Sequence, residues 1–92
     1  MADNQVLIAK AGGIPLFLAA LDNHAQHADM VELVCGAVYC LAANDNNKVL
    51  IAKEGGIPKI LAALDKHAEH AGVVKQACEA VRNLAALSLI HI

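Results

Sequence analysis

Tryptophan is absent from this 92-residue chain, and phenylalanine and tyrosine occur once each. The 58% hydrophobic content therefore comes mainly from Ala, Leu, Ile and Val, which suits closely packed helices and gives strands little support. An excess of charge is missing too: seven basic residues against nine acidic ones give a net charge of -2, so there is no basic footprint for nucleic acid or an anionic membrane. The longest unbroken apolar or glycine run, "LVCGAVYCLAA" from Leu33 to Ala43, is too short to span a bilayer, despite a mean hydropathy of +0.48. The opening "MADNQVLIAK" has neither the basic start nor the long apolar centre of a secretory signal. Three cysteines, Cys35, Cys40 and Cys78, are odd in number and lack C-x-x-C spacing, so neither a disulfide framework nor a cysteine zinc site follows. An intracellular location is expected, cytoplasmic first and nuclear second.

What is present is a repetition. Asn4 to Asn46 aligned with Asn47 to Leu89 gives 26 identities in 43 positions without a gap, including "AKAGGIPLFLAAL" against "AKEGGIPKILAAL". A period near 40 residues marks a solenoid, in which one unit cannot bury its apolar face alone and stacks on its neighbour. The reading is of two units, 4–46 and 47–89. The last six residues, "LSLIHI", depart from the pattern. They are expected either to be foreign to the parent gene, which would make the chain a fragment of a longer array, or to extend the last helix, adding Leu87 and Ile90 to an apolar interface.

Punctuation inside a unit predicts three helices. Asn4 and Asn47 are placed to cap a short first helix, which the double glycine stops in a left-handed turn. Pro15 and Pro58 suit the first turn of a second helix. Its inward stripe is Ile14, Phe17, Leu18 and Leu21, or Ile57, Ile60, Leu61 and Leu64. After a polar loop, Asp29 with Glu32 reads as an Asp version of a capping box. The third helix then buries Val31, Val34, Cys35, Val38, Leu41 and Ala42, or Val74, Ala77, Cys78, Val81, Leu84 and Ala85.

A short helix, a glycine stop, a second helix and a longer third helix resemble the armadillo repeat. "NNKVLIAKEGGI" is similar to that family's first helix, "GGIPLFLAAL" to the start of its second, and "ACEAVRNLAA", Ala77 to Ala86, to its third. HEAT repeats, with two main helices, usually lack the short helix before Gly-Gly. The armadillo resemblance covers nearly the whole chain. It implies an all-α fold, a right-handed superhelix with three helices per repeat, whose third helices line a concave groove that binds proteins or peptides. The outward face of the third helix offers Glu32, Gly36, Tyr39 and Cys40 in one unit and Lys75, Glu79, Arg82 and Asn83 in the other. Nuclear-import adaptors of this family hold extended peptides with an asparagine at the position of Asn83 and a tryptophan one turn earlier. Here Glu79 stands at the tryptophan position, and Gly36 and Cys40 fill the pair in the first unit, so their mode of peptide-backbone recognition does not carry over. Asn83 also reads as a helix residue that hydrogen-bonds locally.

Histidines recur as H-x-x-H, His24 with His27 and His67 with His70. Two imidazoles three apart on a helix can chelate zinc or nickel, but the spacing is equally that of duplicated helix-end residues. No phosphate loop accompanies "AGGIP", and Cys35 and Cys78 fall on the apolar stripe rather than in a basic niche, so no catalytic residues and no cofactor are expected. The two outermost faces lack polar caps. A protein-interaction scaffold that self-associates as a homodimer or higher homo-oligomer is the expectation, with a metal-bridged module on the H-x-x-H loops as the alternative.

Overall fold

The structure is a computed structural model and describes residues 4–86. Residues 87–92, including the departing hexapeptide with Leu87 and Ile90, lie outside the described residues.

Six helices follow one another: α1 (Asn4–Lys10), α2 (Gly13–Asn23), α3 (Ala28–Leu41), α4 (Asp45–Lys53), α5 (Gly56–Lys66) and α6 (Ala71–Ala85). The fold is all-helical, with two successive sets of one short, one medium and one long helix. Gly12 and Gly55, at φ 85° and 86°, supply the left-handed turns that end α1 and α4. The bend between α1 and α2 is 76°. Pro15 and Pro58 fall in the first turns of α2 and α5 as their missing N–H requires. No single helix among the described residues is long and apolar enough to cross a membrane.

One expected cap is displaced. Asn44, not Asn47, caps α4, its Oδ1 accepting the Asn47 N–H at 3.0 Å. Asn47 instead lies inside the helix at 2% exposure and donates through Nδ2 to the Leu41 carbonyl at 3.0 Å and the Gln5 carbonyl at 3.1 Å. It ties α1, α3 and α4 together. The capping box is also absent: His27 precedes α3 without a side-chain cap bond, and Asp29 lies within the first turn. Its carboxylate turns instead toward His70.

Packing between the two sets centres on α3 against α6. The stripe expected on α3 is buried throughout, from Val31 to Ala42. On α6 the expected stripe is corrected. Val73, Ala77 and Ala80 are fully buried, whereas Cys78 and Ala85 are exposed and Val74, Val81 and Leu84 only partly covered. The second helices behave alike: Ile14, Leu18 and Leu21 are buried in α2 with Phe17 half-buried, but in α5 Ile57 is 39% and Leu61 48% exposed while Ile60 is sealed. The cause is position in the stack. Each layer has one face toward the preceding layer and one toward the following, and only the faces between α1–α3 and α4–α6 meet a neighbour among the described residues.

Candidate functional site

The eight residues expected on the outward third-helix face lie along α3 and α6, and several hold the two layers together. Asn83 is half-buried, and its Nδ2 donates at 3.0 Å to the Tyr39 carbonyl, 44 residues away. This corrects the expectation of a local bond: the amide spans the two layers. The Cys40 carbonyl accepts from Gln5 Nε2 at 3.0 Å, so α1 reaches back to the C-terminal end of α3. Lys48, the counterpart of Gln5, does the same for α6, donating from Nζ to the Ala86 carbonyl at 3.2 Å and to Asp45 Oδ1 at 2.7 Å. A cation there meets the negative end of the α6 dipole, so a lysine exposed by only 9% has a carboxylate and a helix-end carbonyl as partners.

Glu32 is half-buried against α6. A β-carbon at Gly72 would overlap its carboxylate, so the glycine makes room for that side chain. Gly36 faces Gln76, whose Oε1 would lie 3.4 Å from a β-carbon there. Glu79 pairs with Arg82 at 3.5 Å, and the Arg82 side chain is 80% exposed. Tyr39 is half-buried, and Cys40 and Lys75 are exposed. The face that stays open is thus a short strip of Tyr39, Cys40, Lys75 and Arg82, mixing one aromatic ring with two cations.

The histidines occupy helix ends. His24 and His67 follow α2 and α5, and His27 and His70 precede α3 and α6. The rings of His24 and His27 are 6.0 Å apart and tilted, and His67 Nε2 lies 2.8 Å from the Ala25 carbonyl. His24 and His27 thus lie side by side, whereas His67 is engaged with the preceding layer. His70 joins a different group: its ligand atom and those of Asp29 and Glu32 lie within 4.8 Å of one another. The sequence signal for this group was the contrast between units, where Asp29 and Glu32 become Gly72 and Lys75. Its chemistry is divided. His70 Nδ1 accepts the Val73 N–H at 3.2 Å as the α6 cap, so in the neutral ring the proton sits on Nε2, 3.9 Å from Asp29 Oδ1. A metal on Nε2 would move that proton to Nδ1 and remove the cap.

Of the three free cysteines, Cys35 is fully buried and burial pushes its thiol up to about 11, whereas Cys40 and Cys78 are exposed. Cys78 leaves the buried class to which the sequence assigned it, because it faces the side of α6 away from α3. A cleft of about 430 Å³ between α2 and α5, which sequence alone did not indicate, is walled by Leu21, Gly55, Pro58 and Ala62 and bridged by Lys59 Nζ to Asp22 Oδ2 at 2.6 Å.

The most informative surface is apolar and double. On the outer side of the first layer, Ile8 is 41%, Leu16 71%, Met30 41% and Leu33 70% exposed. On the outer side of the second, Ile57, Leu61 and Cys78 are open. Exposed apolar patches of this kind mark sites of protein association.

Residues 44–86 match the family model of the armadillo/beta-catenin-like repeat, a stretch that runs from the cap of α4 to the residue after α6. Comparisons with curated proteins and with solved structures returned no match. The helix order of α4 to α6, the left-handed glycine between the first two helices and the buried α3–α6 seam agree with that match. Residues 44–86 are similar to an armadillo repeat, and the all-helical fold is consistent with a member of that family.

Proposed function

We propose that this chain is a non-enzymatic protein-interaction module made of two armadillo units, 4–46 and 47–89, working inside the cell, in the cytoplasm or nucleus. The observation that carries the reading is the pair of exposed apolar faces, Ile8, Leu16, Met30 and Leu33 at one end and Ile57 and Leu61 at the other, on a repeat family built for protein contact. The module self-associates through these faces as a homodimer or higher homo-oligomer. Covering ~400 Å² of apolar surface at each contact would contribute roughly 10 kcal/mol gross at about 25 cal/mol per Å², of the same order as association costs of about 4 to 15 kcal/mol. Analytical ultracentrifugation from 1 to several hundred micromolar tests this, and a folded monomer across the range overturns it.

The strip of Tyr39, Cys40, Lys75 and Arg82, flanked by Glu32, Gly36, Glu79 and Asn83, is the proposed seat for an extended peptide. Tyr39 supplies a stacking face and the two cations favour an acidic segment. Peptides selected by phage display on the chain should lose binding to Tyr39→Ala and Arg82→Glu. Selected peptides indifferent to both changes would remove the assignment.

A second reading is supported by Asp29, Glu32 and His70, which could hold a divalent metal between the layers. Calorimetric titration with zinc at neutral pH tests it: saturable binding lost in His70→Ala supports the site, and no saturable binding discards it.

A further inference from the structure

We infer that self-association of this chain is directional: the outer face of the first layer of one copy seats on the outer face of the second layer of the next, continuing the stack head to tail. The inference rests on the self-association proposed above and adds its geometry.

Residues 43 positions apart hold equivalent places in the two units. Toward the preceding layer, the second unit seals Ile51, Ile60, Val73 and Ala80, each at 0% exposure. The corresponding positions of the first unit are Ile8, Phe17, Met30 and Ala37, of which Ile8 and Met30 are each 41% exposed and Phe17 and Ala37 are half-buried. All four remain apolar. Toward the following layer, the first unit seals Ile14, Leu18, Cys35, Val38 and Ala42, each at 3% exposure or less. The second unit carries Ile57, Leu61, Cys78, Val81 and Ala85 there, the same five residue types in the same order, partly or fully open. The chain thus presents on its second layer a near copy of the surface that already accepts a layer. On its first layer it presents an apolar version of the surface that is already accepted.

Leu7 and Leu50 are an internal check. Both are exposed, at 60% and 41%, so exposure alone does not define the seam; only positions whose burial changes between units do. The outermost positions sharpen the fit. Leu16 and Leu33 stand where the inner seam has the polar Lys59 and Gln76, so the free first-layer face is more apolar than the one in use.

A second copy is the occupant because the interface it would form repeats the α3–α6 seam within the chain. Contact between two different faces of the same molecule is heterologous, and unless its rotation closes a ring it propagates. The assembly therefore grows with concentration and does not stop at a dimer.

Two surface variants test the polarity. Met30→Glu with Leu33→Glu blocks the first-layer face, and Leu61→Glu with Cys78→Glu blocks the second-layer face. All four side chains are exposed in the chain, and circular dichroism should confirm unchanged helix content. Burying carboxylates without partners should weaken each variant's self-association at least about a hundredfold. An equimolar mixture restores one intact junction, and the two blocked faces repel one another. The expected result in ultracentrifugation is wild-type protein that grows with concentration, variants that are monomeric alone, and a mixture that forms a one-to-one dimer and nothing larger. If one variant still dimerises alone, or the mixture stays monomeric while wild type associates, the head-to-tail geometry is overturned and self-association survives. If wild type is monomeric throughout, self-association itself fails.

Discussion

The side-chain amide of Asn47 donates to the Leu41 carbonyl at 3.0 Å, closing the end of α3 from within the helix that follows it. The second amide hydrogen goes to the Gln5 carbonyl, and the site is 2% exposed. Asn4, 43 residues earlier, is exposed. Asn47→Ala leaves two partly buried carbonyls without their donor and should lower unfolding free energy by about 1 to 3 kcal/mol, while Asn4→Ala should change it by no more than about 0.5 kcal/mol. Urea denaturation of the two variants side by side checks the asymmetry.

The paired glycines make separable demands. Gly55 needs its positive φ, so Gly55→Ala should cost about 1 kcal/mol. Gly56 has an ordinary backbone but no room: a β-carbon there would lie 2.8 Å from the Ile51 carbonyl oxygen and overlap that residue's side chain. Because backbone must shift, Gly56→Ala should cost more, roughly 2 kcal/mol or above. Thermal unfolding should rank Gly56→Ala below Gly55→Ala, and the reverse order would refute the close approach.

Alkali should weaken the fold through Cys35. Its buried thiol ionises at about 11 instead of 9.0, so between those values the unfolded chain releases a proton that the folded chain retains. Stability from this group is complete below about pH 9 and declines as pH rises toward about 11, by on the order of 2 kcal/mol at 1.36 kcal/mol per pH unit. Cys35→Ala should be less stable at pH 8 yet lose less on going to pH 10.5. Equal losses in both proteins would show that Cys35 is not the source.

The cap on α6 distinguishes the roles of His70. His70→Ala should cost about 1 kcal/mol because the Val73 N–H loses its acceptor, and His70→Asn should recover most of it. Guanidinium unfolding reads both. A His70→Asn protein as unstable as His70→Ala would mean that the ring acts through packing.

Helix count and order, the glycine stops and the whole apolar stripe of α3 were legible because they depend on local spacing. The stripe of α6 was not. Residues 31 to 42 and 74 to 85 are close to the same sentence, but burial depends on which layer lies beyond, which no spacing records. Asn47 misled for a related reason: an asparagine before an apolar run reads as a cap, and only the proximity of Leu41 and Gln5 turns it inward. The outward strip lies along α3 and α6, yet the cross-layer bond from Asn83 to Tyr39 required the actual separation of those helices.

Cys35 and Cys78 hold the same place in successive layers, one sealed and one open. The pair gives the molecule a chemical witness of its own occupancy. Whenever any body settles on the far side of α6, the reactivity of Cys78 toward an alkylating reagent should fall toward that of its silent twin, and the ratio of the two rates reports how much of that side is taken.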